Sequence, residues 1–315
     1  MHSFKELSLL FTERFEDRVF PASPAGLYDP AQYILGLGGK RIRPVLCLMG
    51  NELFGELSPD AFPAAVAVEL FHNFTLIHDD IMDEAPLRRG EPTVHYKYGP
   101  HSALLAGDVM LVQAYEYLNR IKAASLSRIL GIFNRTAREV CEGQQLDMDY
   151  AALPLSRVSM EDYIQMIWLK TSVLLAASLQ MGGVLGGGGE GNLNHLYAFG
   201  KNLGIAFQIQ DDYLDAFGDP GKFGKQPGGD IMVNKKTFLL LKAWELATHV
   251  VREKMLEVME TVVRGKVDAM LDIYRDCRVD RWAREEKQAY VDKAAAHLEA
   301  ITVLSARKQE LSLLV

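Results

Sequence analysis

Apolar residues recur along nearly the whole chain at intervals of three and four, the spacing of helices that bury one face. The pattern predicts a first helix within MHSFKELSLLFTERFEDRVF, a long one over 59–85, and two more over 101–121 and 125–150. Further helices follow over 159–183 and 193–217, and helical periodicity with mixed charge continues from Thr237 to Val315. The 59–85 segment is apolar around most of its circumference, which places it in the middle of a protein. FPASPAGLYDP, with three prolines, predicts an irregular connection, and Pro86 ends the long helix. GGVLGGGGEGN at 182–192 lacks the lysine of a phosphate loop and follows no strand, so it predicts a flexible link between helices. No Pro/Ser/Gly-rich tract separates two independently patterned halves. The expectation is an all-α fold, one large helical domain over 1–315.

The long helix ends in LIHDDIMDE, with Asp79, Asp80 and Asp83. At about 100° per residue, Asp79 and Asp83 lie about 40° apart and Asp80 falls within the same arc of about 100°. Like charges one turn apart repel, so a cation is expected against that face. The same spacing recurs as Asp211, Asp212 and Asp215 in FQIQDDYLD. Both triplets stand inside apolar runs, where charges need partners. Two facing acidic helices with a metal cluster between them are expected, and oxygen-only ligands favour Mg²⁺ or Ca²⁺ over zinc.

Cations stand at matching places. GLGGKRIRP combines Gly36, Gly38 and Gly39 with Lys40, Arg41 and Arg43 ahead of a helix that Pro44 suits in its first turn, a plausible phosphate site. Arg88 and Arg89 follow the first acidic motif. His72 lies about 20° from Asp79 on the wheel, and Gln208 about 60° from Asp211. Lys170 and Thr171 interrupt an apolar helix, where a lysine either snorkels or pairs with an anion and a threonine can free a carbonyl. In GQQLDMDY, Asp147 and Asp149 point to different faces, which makes them structural residues or supports standing behind the ligands of a site, with Gln144 as polar support. The polar, glycine-rich segment 217–237 carries Lys225, Lys235 and Lys236 and is long enough to predict a functional loop closing over phosphates.

With 315 residues and 49% hydrophobic content, the chain can bury a sizeable core. A net charge of −7 and a pI of about 5.7 argue against nucleic-acid binding. Cys47, Cys141 and Cys277 are odd in number and widely spaced, which predicts neither zinc nor disulfides and suits a reducing cytoplasm. The N-terminus lacks the basic and apolar regions of a signal peptide, and no uncharged apolar run of about 18 residues predicts a transmembrane span.

The order GGKRIRP, DDIMD, LRRG, KT, FQIQDDYLD and GKQPGGDI resembles the trans-isoprenyl diphosphate synthases, or polyprenyl synthetases, of short-chain farnesyl and geranylgeranyl type. The resemblance covers nearly the whole chain, and six motifs in sequence are far more specific than any one. It implies a helical bundle of the isoprenoid synthase type with a central active-site cavity, and a homodimer. The implied activity is a prenyltransferase joining isopentenyl diphosphate to an allylic diphosphate with three Mg²⁺. It assigns Gly39, Lys40, Arg43, His72 and Arg89 to isopentenyl diphosphate, and Arg88, Lys225 and Lys235 to the allylic diphosphate. Lys170 becomes a diphosphate ligand, with its carbonyl and Thr171 near the carbocation, and Gln208 joins them. Asp79, Asp83 and Asp211 hold metal, with Asp80, Asp212 and Asp215 orienting ligands or bound water.

A class I terpene cyclase would share the first aspartate motif but not need GGKRIRP, and a noncatalytic regulatory subunit would typically have lost an aspartate motif. The resemblance sets product length at Phe74 and Thr75 and implies fifteen to twenty carbons. Farnesyl synthases of bacteria commonly carry two extra residues within the first motif; DDIMD has none, which makes geranylgeranyl a competitor. Helix geometry alone nominates Phe71, about 80° from Asp79, over Phe74 at about 140°. If Phe74 is the floor, Phe74→Ala lengthens the product by at least one five-carbon unit on chromatography of the dephosphorylated alcohols; lengthening by Phe71→Ala alone would move the floor to Phe71.

Overall fold

The structure, a computed structural model, describes residues 1–15, 19–218, 228–261 and 265–315. Among the described residues it is all-α apart from one hairpin of two-residue strands. In order, the helices are α1 (Phe4–Arg14), α2 (Ala25–Gly36), α3 (Ile42–Glu52) and α4 (Ala61–Met82). Strands β1 (Leu87–Arg88) and β2 (Glu91–Pro92) precede α5 (Val94–Tyr98), α6 (Pro100–Leu118) and α7 (Ala123–Ala152). After α8 (Met160–Ile167), a π-helical turn (Trp168–Ser172) leads into α9 (Val173–Leu185) and then α10 (Glu190–Phe217). The remainder is α11 (Gly229–Met232), α12 (Phe238–Leu246), α13 (His249–Glu260), α14 (Lys266–Asp276), α15 (Val279–Ala300) and α16 (Ser305–Ser312).

The chain falls into two compact units. The first comprises Met1–Thr136, Leu174–Tyr197 and His297–Leu314. Its middle is α4, whose Ala64, Ala65, Val68, Leu70, Phe71 and Ile77 are buried, as the apolar circumference predicts. Close helix approach depends on glycine: a methyl on Gly182 of α9 would lie 2.8 Å from the Cys47 carbonyl carbon and 2.9 Å from the Asn51 nitrogen, both on α3. Gly107 of α6 likewise leaves room for the His78 ring of α4. The chain ends are tied in by polar contacts, with His2 bonded to the Glu52 carboxylate and Arg307 donating to the carbonyls of Glu52 and Gly55.

The second unit comprises Ala137–Val173 and Ala198–Ala296, with Val315. Its core joins Tyr163, Met166, Ile167, Ile205, Ile209, Leu241 and Tyr274, and Phe238 stacks on Trp282 with centroids 4.3 Å apart. Ser159 and Asp162 form a capping box that starts α8.

Several expected elements change form. FPASPAGLYDP is not irregular throughout: α2 begins at Ala25 and carries Pro30 within it, because Pro30, Ala31, Ile34 and Leu35 bury one face that outweighs one lost backbone hydrogen bond. The first helix stops at Arg14, where Phe15 turns extended. LRRGEP is a tight hairpin, with Arg89 at φ 56° and Gly90 at φ 83°, the pair of positive angles a two-residue turn requires. The helix expected over 159–183 is broken by the π turn. Met160–Leu185 is long and apolar enough to cross a membrane by length and composition, but 72% of its most apolar window is buried in protein. Gly182→Ala is expected to destabilise the fold by about 1–3 kcal/mol, since backbone atoms of α3 cannot rotate away from the new methyl. Urea unfolding measures it, and an unchanged midpoint would contradict the close packing.

Candidate active site

In the first unit, the glycine-rich loop between α2 and α3 is shaped by positive φ at Gly38 (74°), Gly39 (136°) and Arg41 (48°). A non-glycine residue in that region is strained and must be held. Arg41 is held by an ion pair with the buried Glu69 of α4 and by donation to the Leu35 carbonyl at 2.8 Å. Glu69 is fixed in turn by Asn73, whose amide donates to it at 3.0 Å. Arg43, in the first turn of α3, donates to His72 Nε2 at 3.0 Å. Because a guanidinium only donates, Nε2 is the acceptor and the ring proton sits on Nδ1. Burial, then the charges of Arg43, Arg89, Arg88 and Arg41, hold the His72 pKa well below its usual value. Burial chiefly, with Arg89, pulls Arg43 down to about 10 against the opposing pull of Glu69, so it stays charged at neutral pH. The Arg43 Nε is buried without a hydrogen-bond partner among the described residues. Lys40 is exposed.

The hairpin sends its two arginines in different directions. Arg88 reaches back one-handed from β1 to Asp80 and closes a two-pronged fork, Nε–Oδ2 at 2.8 Å and NH2–Oδ1 at 2.7 Å. Arg89 instead reaches the glycine-rich loop, where it donates to the Gly38 carbonyl and lies against Gly39. Asp80 is 2% exposed, whereas Asp79 is half-buried and Asp83 exposed at the helix end. Below them on α4, Phe74 packs against His78 and Phe71, with centroids at 4.8 and 5.5 Å. Phe71 is fully buried against Phe133, and Thr75 caps its own turn by donating to the His72 carbonyl.

The second unit repeats the arrangement around Asp212. This carboxylate is 3% exposed and accepts from the Tyr163 hydroxyl at 2.5 Å, the Phe238 N–H at 3.0 Å and Gln208 at 3.0 Å. Burial raises its pKa against the lowering effect of Tyr163, Lys235 and the other donors. Asp211 is exposed, and Asp215 accepts from the Asp230 N–H at 2.9 Å. Asp230 is pushed up to about 6 by burial and by Asp212 and Asp215, with Lys235 opposing from 3.6 Å. Lys170 and Thr171 lie in the π turn, and Lys170 pairs with Asp147 of α7 at 2.6 Å. Lys236 donates to the Ala151 carbonyl. Lys225 lies outside the described residues.

A model of the polyprenyl synthetase family matches residues 24–276. The chain belongs to the polyprenyl synthetase family. It is 34% identical to a short chain isoprenyl diphosphate synthase of Methanothermobacter thermautotrophicus over 98% of this chain and 94% of that one. It is 38% identical to a geranylgeranyl pyrophosphate synthase of Geoglobus acetivorans over 94% and 92%. A solved geranylgeranyl pyrophosphate synthase superposes with a TM-score of 0.94 at 42% identity, covering 99% of this chain and 97% of that one. This polyprenyl synthetase is thus a trans-prenyl synthase of short-chain type, with the all-helical isoprenoid synthase fold.

The structure divides the six aspartates in a way their spacing did not announce. In each triplet the middle residue, Asp80 or Asp212, is buried and taken by protein donors. Asp79 with Asp83, and Asp211 with Asp215, flank it. Among the described residues no three carboxylate, histidine or cysteine side chains converge into a ready-made metal cage. The fit to Mg²⁺ rests on donor chemistry: all candidates are carboxylate oxygens, and Mg²⁺ takes one or two of these with water and substrate phosphate. Gln208 supports Asp212, and Asp147 is the partner of Lys170, while Asp149 accepts from Gln145. Sequence reasoning missed Glu69 and Tyr163. Glu69 carried a signal, a lone charge inside an apolar helix one turn before His72; Tyr163 carried none.

With its pKa held well below the usual value, His72 binds fewer protons in the folded polyprenyl synthetase near pH 6.5 than in the unfolded chain. The unfolded state then holds more protons, so this residue's contribution to stability is lost as pH falls through about 6.5 and below. His72→Gln should remove a slope of up to about 1.4 kcal/mol per pH unit below about pH 6.5. Urea unfolding across pH 5–8 tests this, and an identical slope in the variant would mean His72 titrates normally.

Proposed function

We propose that this polyprenyl synthetase condenses isopentenyl diphosphate with an allylic diphosphate head to tail, releasing diphosphate. The observation that carries the reading is a group of four arginines in one region of the first unit: Arg43 on His72, Arg41 and Arg89 around the glycine-rich loop, and Arg88 on Asp80. Glu69 and Asp80 offset two of these charges; the excess, with the orphaned Nε of Arg43, calls for an anion with several acceptor oxygens. Arg43, His72, Arg89, Gly39 and Lys40 bind the isopentenyl diphosphate in this reading. Arg88, Lys170, Lys225 and Lys235 bind the allylic diphosphate.

The carboxylates of Asp79, Asp83, Asp211 and Asp215 are the residues to hold Mg²⁺. Bound there, Mg²⁺ supplies the charge that stabilises diphosphate as a leaving group. Arg and Lys side chains share that work, being fixed before the reaction begins. Asp80 and Asp212 keep the acidic helix faces oriented. Thr171 and the Lys170 carbonyl face the allylic cation, with Gln208 beside them. The relatives bearing the geranylgeranyl name support the upper end of a fifteen-to-twenty-carbon product, with Phe74 and Thr75 or Phe71 as its stop. A homodimer follows from the family, and three free cysteines suit a reducing cytoplasm.

With Mg²⁺, isopentenyl diphosphate and dimethylallyl, geranyl or farnesyl diphosphate, purified protein should yield discrete products of fifteen or twenty carbons. A chelator should abolish turnover, and Asp79→Asn or Asp211→Asn should each lower kcat by roughly 10²–10³. Diphosphate release without isopentenyl diphosphate would make it a cyclase. Folded protein with no product from any primer would make it a noncatalytic subunit.

A further inference from the structure

The π turn Trp168–Ser172 is gripped by a glycine from each of two neighbouring helices of the second unit. A methyl on Gly143 of α7 would stand 2.6 Å from the Leu169 carbonyl carbon and closer still to the Lys170 nitrogen. A methyl on Gly204 of α10 would stand 2.7 Å from the Cα, Cβ and Oγ of Ser172. Glycine is unfavourable inside a helix relative to alanine, so both positions need a reason. A widened turn is itself costly and persists where packing over-determines it.

The two glycines do not act alone. One turn beyond Gly143, Asp147 takes the Lys170 ammonium at 2.6 Å. Three residues before Gly204, Lys201 sets its ammonium 3.5 Å from the centroid of the Trp168 ring. One turn beyond Gly204, Gln208 donates to Asp212. Within the turn, the Ser172 hydroxyl reaches the Ile167 carbonyl five residues back at 3.5 Å, where an α-helical serine bonds three or four back. Each end of the turn therefore meets a bare backbone and, beside it, a polar anchor.

We propose that Gly143 and Gly204 are positioning residues: they admit the π turn against α7 and α10 and thereby fix the Lys170 carbonyl and ammonium and the Thr171 side chain. A methyl at either place strikes backbone atoms that cannot swing aside, and the turn must move off that helix or rewind. The catalytic consequence rests on the prenyl-transfer reading; the geometric one does not.

The test compares wild type with Gly143→Ala, Gly204→Ala and Gly131→Ala, the last on an open stretch of α7 with nothing within 4 Å. The expected result for the first two is a loss in kcat on the order of 100-fold with a much smaller change in KM for isopentenyl diphosphate. Hydrogen exchange should quicken in peptides covering 163–176 and stay unchanged elsewhere, and Gly131→Ala should match wild type in both. Loss of turnover that merely tracks loss of folded protein, by circular dichroism, in both variants would make the glycines packing residues and overturn the proposal. So would kcat within about twofold of wild type. If wild type itself shows no turnover, the prenyl-transfer reading fails, and exchange alone decides the geometry: unchanged exchange in the turn overturns it.

Discussion

Arg88 closes a fork on Asp80, and much of the first unit's charge arrangement depends on that one pair. A carboxylate 2% exposed at the end of an apolar helix requires a partner. Removing Arg88 would leave Asp80 buried and uncompensated, a loss of about 3–5 kcal/mol. The fork also fixes the hairpin, because Arg88 and Arg89 are consecutive and the turn gives both Arg89 and Gly90 positive φ. Once Arg88 is committed to Asp80, Arg89 is delivered to the glycine-rich loop, where it meets Gly38 and Gly39. That contact, with the Arg41–Glu69 pair, sets where Arg43 and His72 stand.

The second unit solves the same problem with neutral donors. Asp212 is held by a phenol, an amide side chain and a backbone N–H, none of which carries charge. Burial therefore raises its pKa, an effect the hydrogen bonds oppose. In both triplets the middle aspartate is fastened and its neighbours flank it on the more exposed side. A metal with rigid octahedral demands is better served by carboxylates whose helix face is fixed from behind than by three mobile ones.

Some of the local strain lies where the chemistry is proposed, though positive φ also occurs at Glu84, Asn234 and Arg278. Arg41 and Arg89 adopt left-handed backbone angles without being glycine. The π turn adds a residue to one helical turn at Lys170 and Thr171. Each is held by contacts to other elements: Glu69 for Arg41, Asp147 and two glycines for the π turn. These are among the positions at which local preference and the final structure disagree, as expected where function constrains a fold.

The helical class, the long apolar α4, the aspartate triplets and the basic loop were legible in the sequence, because each is a matter of spacing along one helix or composition within one loop. Pro86 and Pro44 marked helix boundaries for the same local reason. Spacing alone did not separate Asp80 from Asp79, although the resemblance gave them different roles, since their physical difference lies in Arg88 folding back across the hairpin to Asp80. It did not show the π turn, because WLKTSVLL is a good α-helical pattern and the close packing of that turn against Gly143 of α7 and Gly204 of α10 is not recorded in the spacing along one helix. Nor did it pair Glu69 with Arg41 or Tyr163 with Asp212, 28 and 49 residues apart. Periodicity records which face of an element is buried; which polar groups then meet on the buried side is decided only when the elements pack.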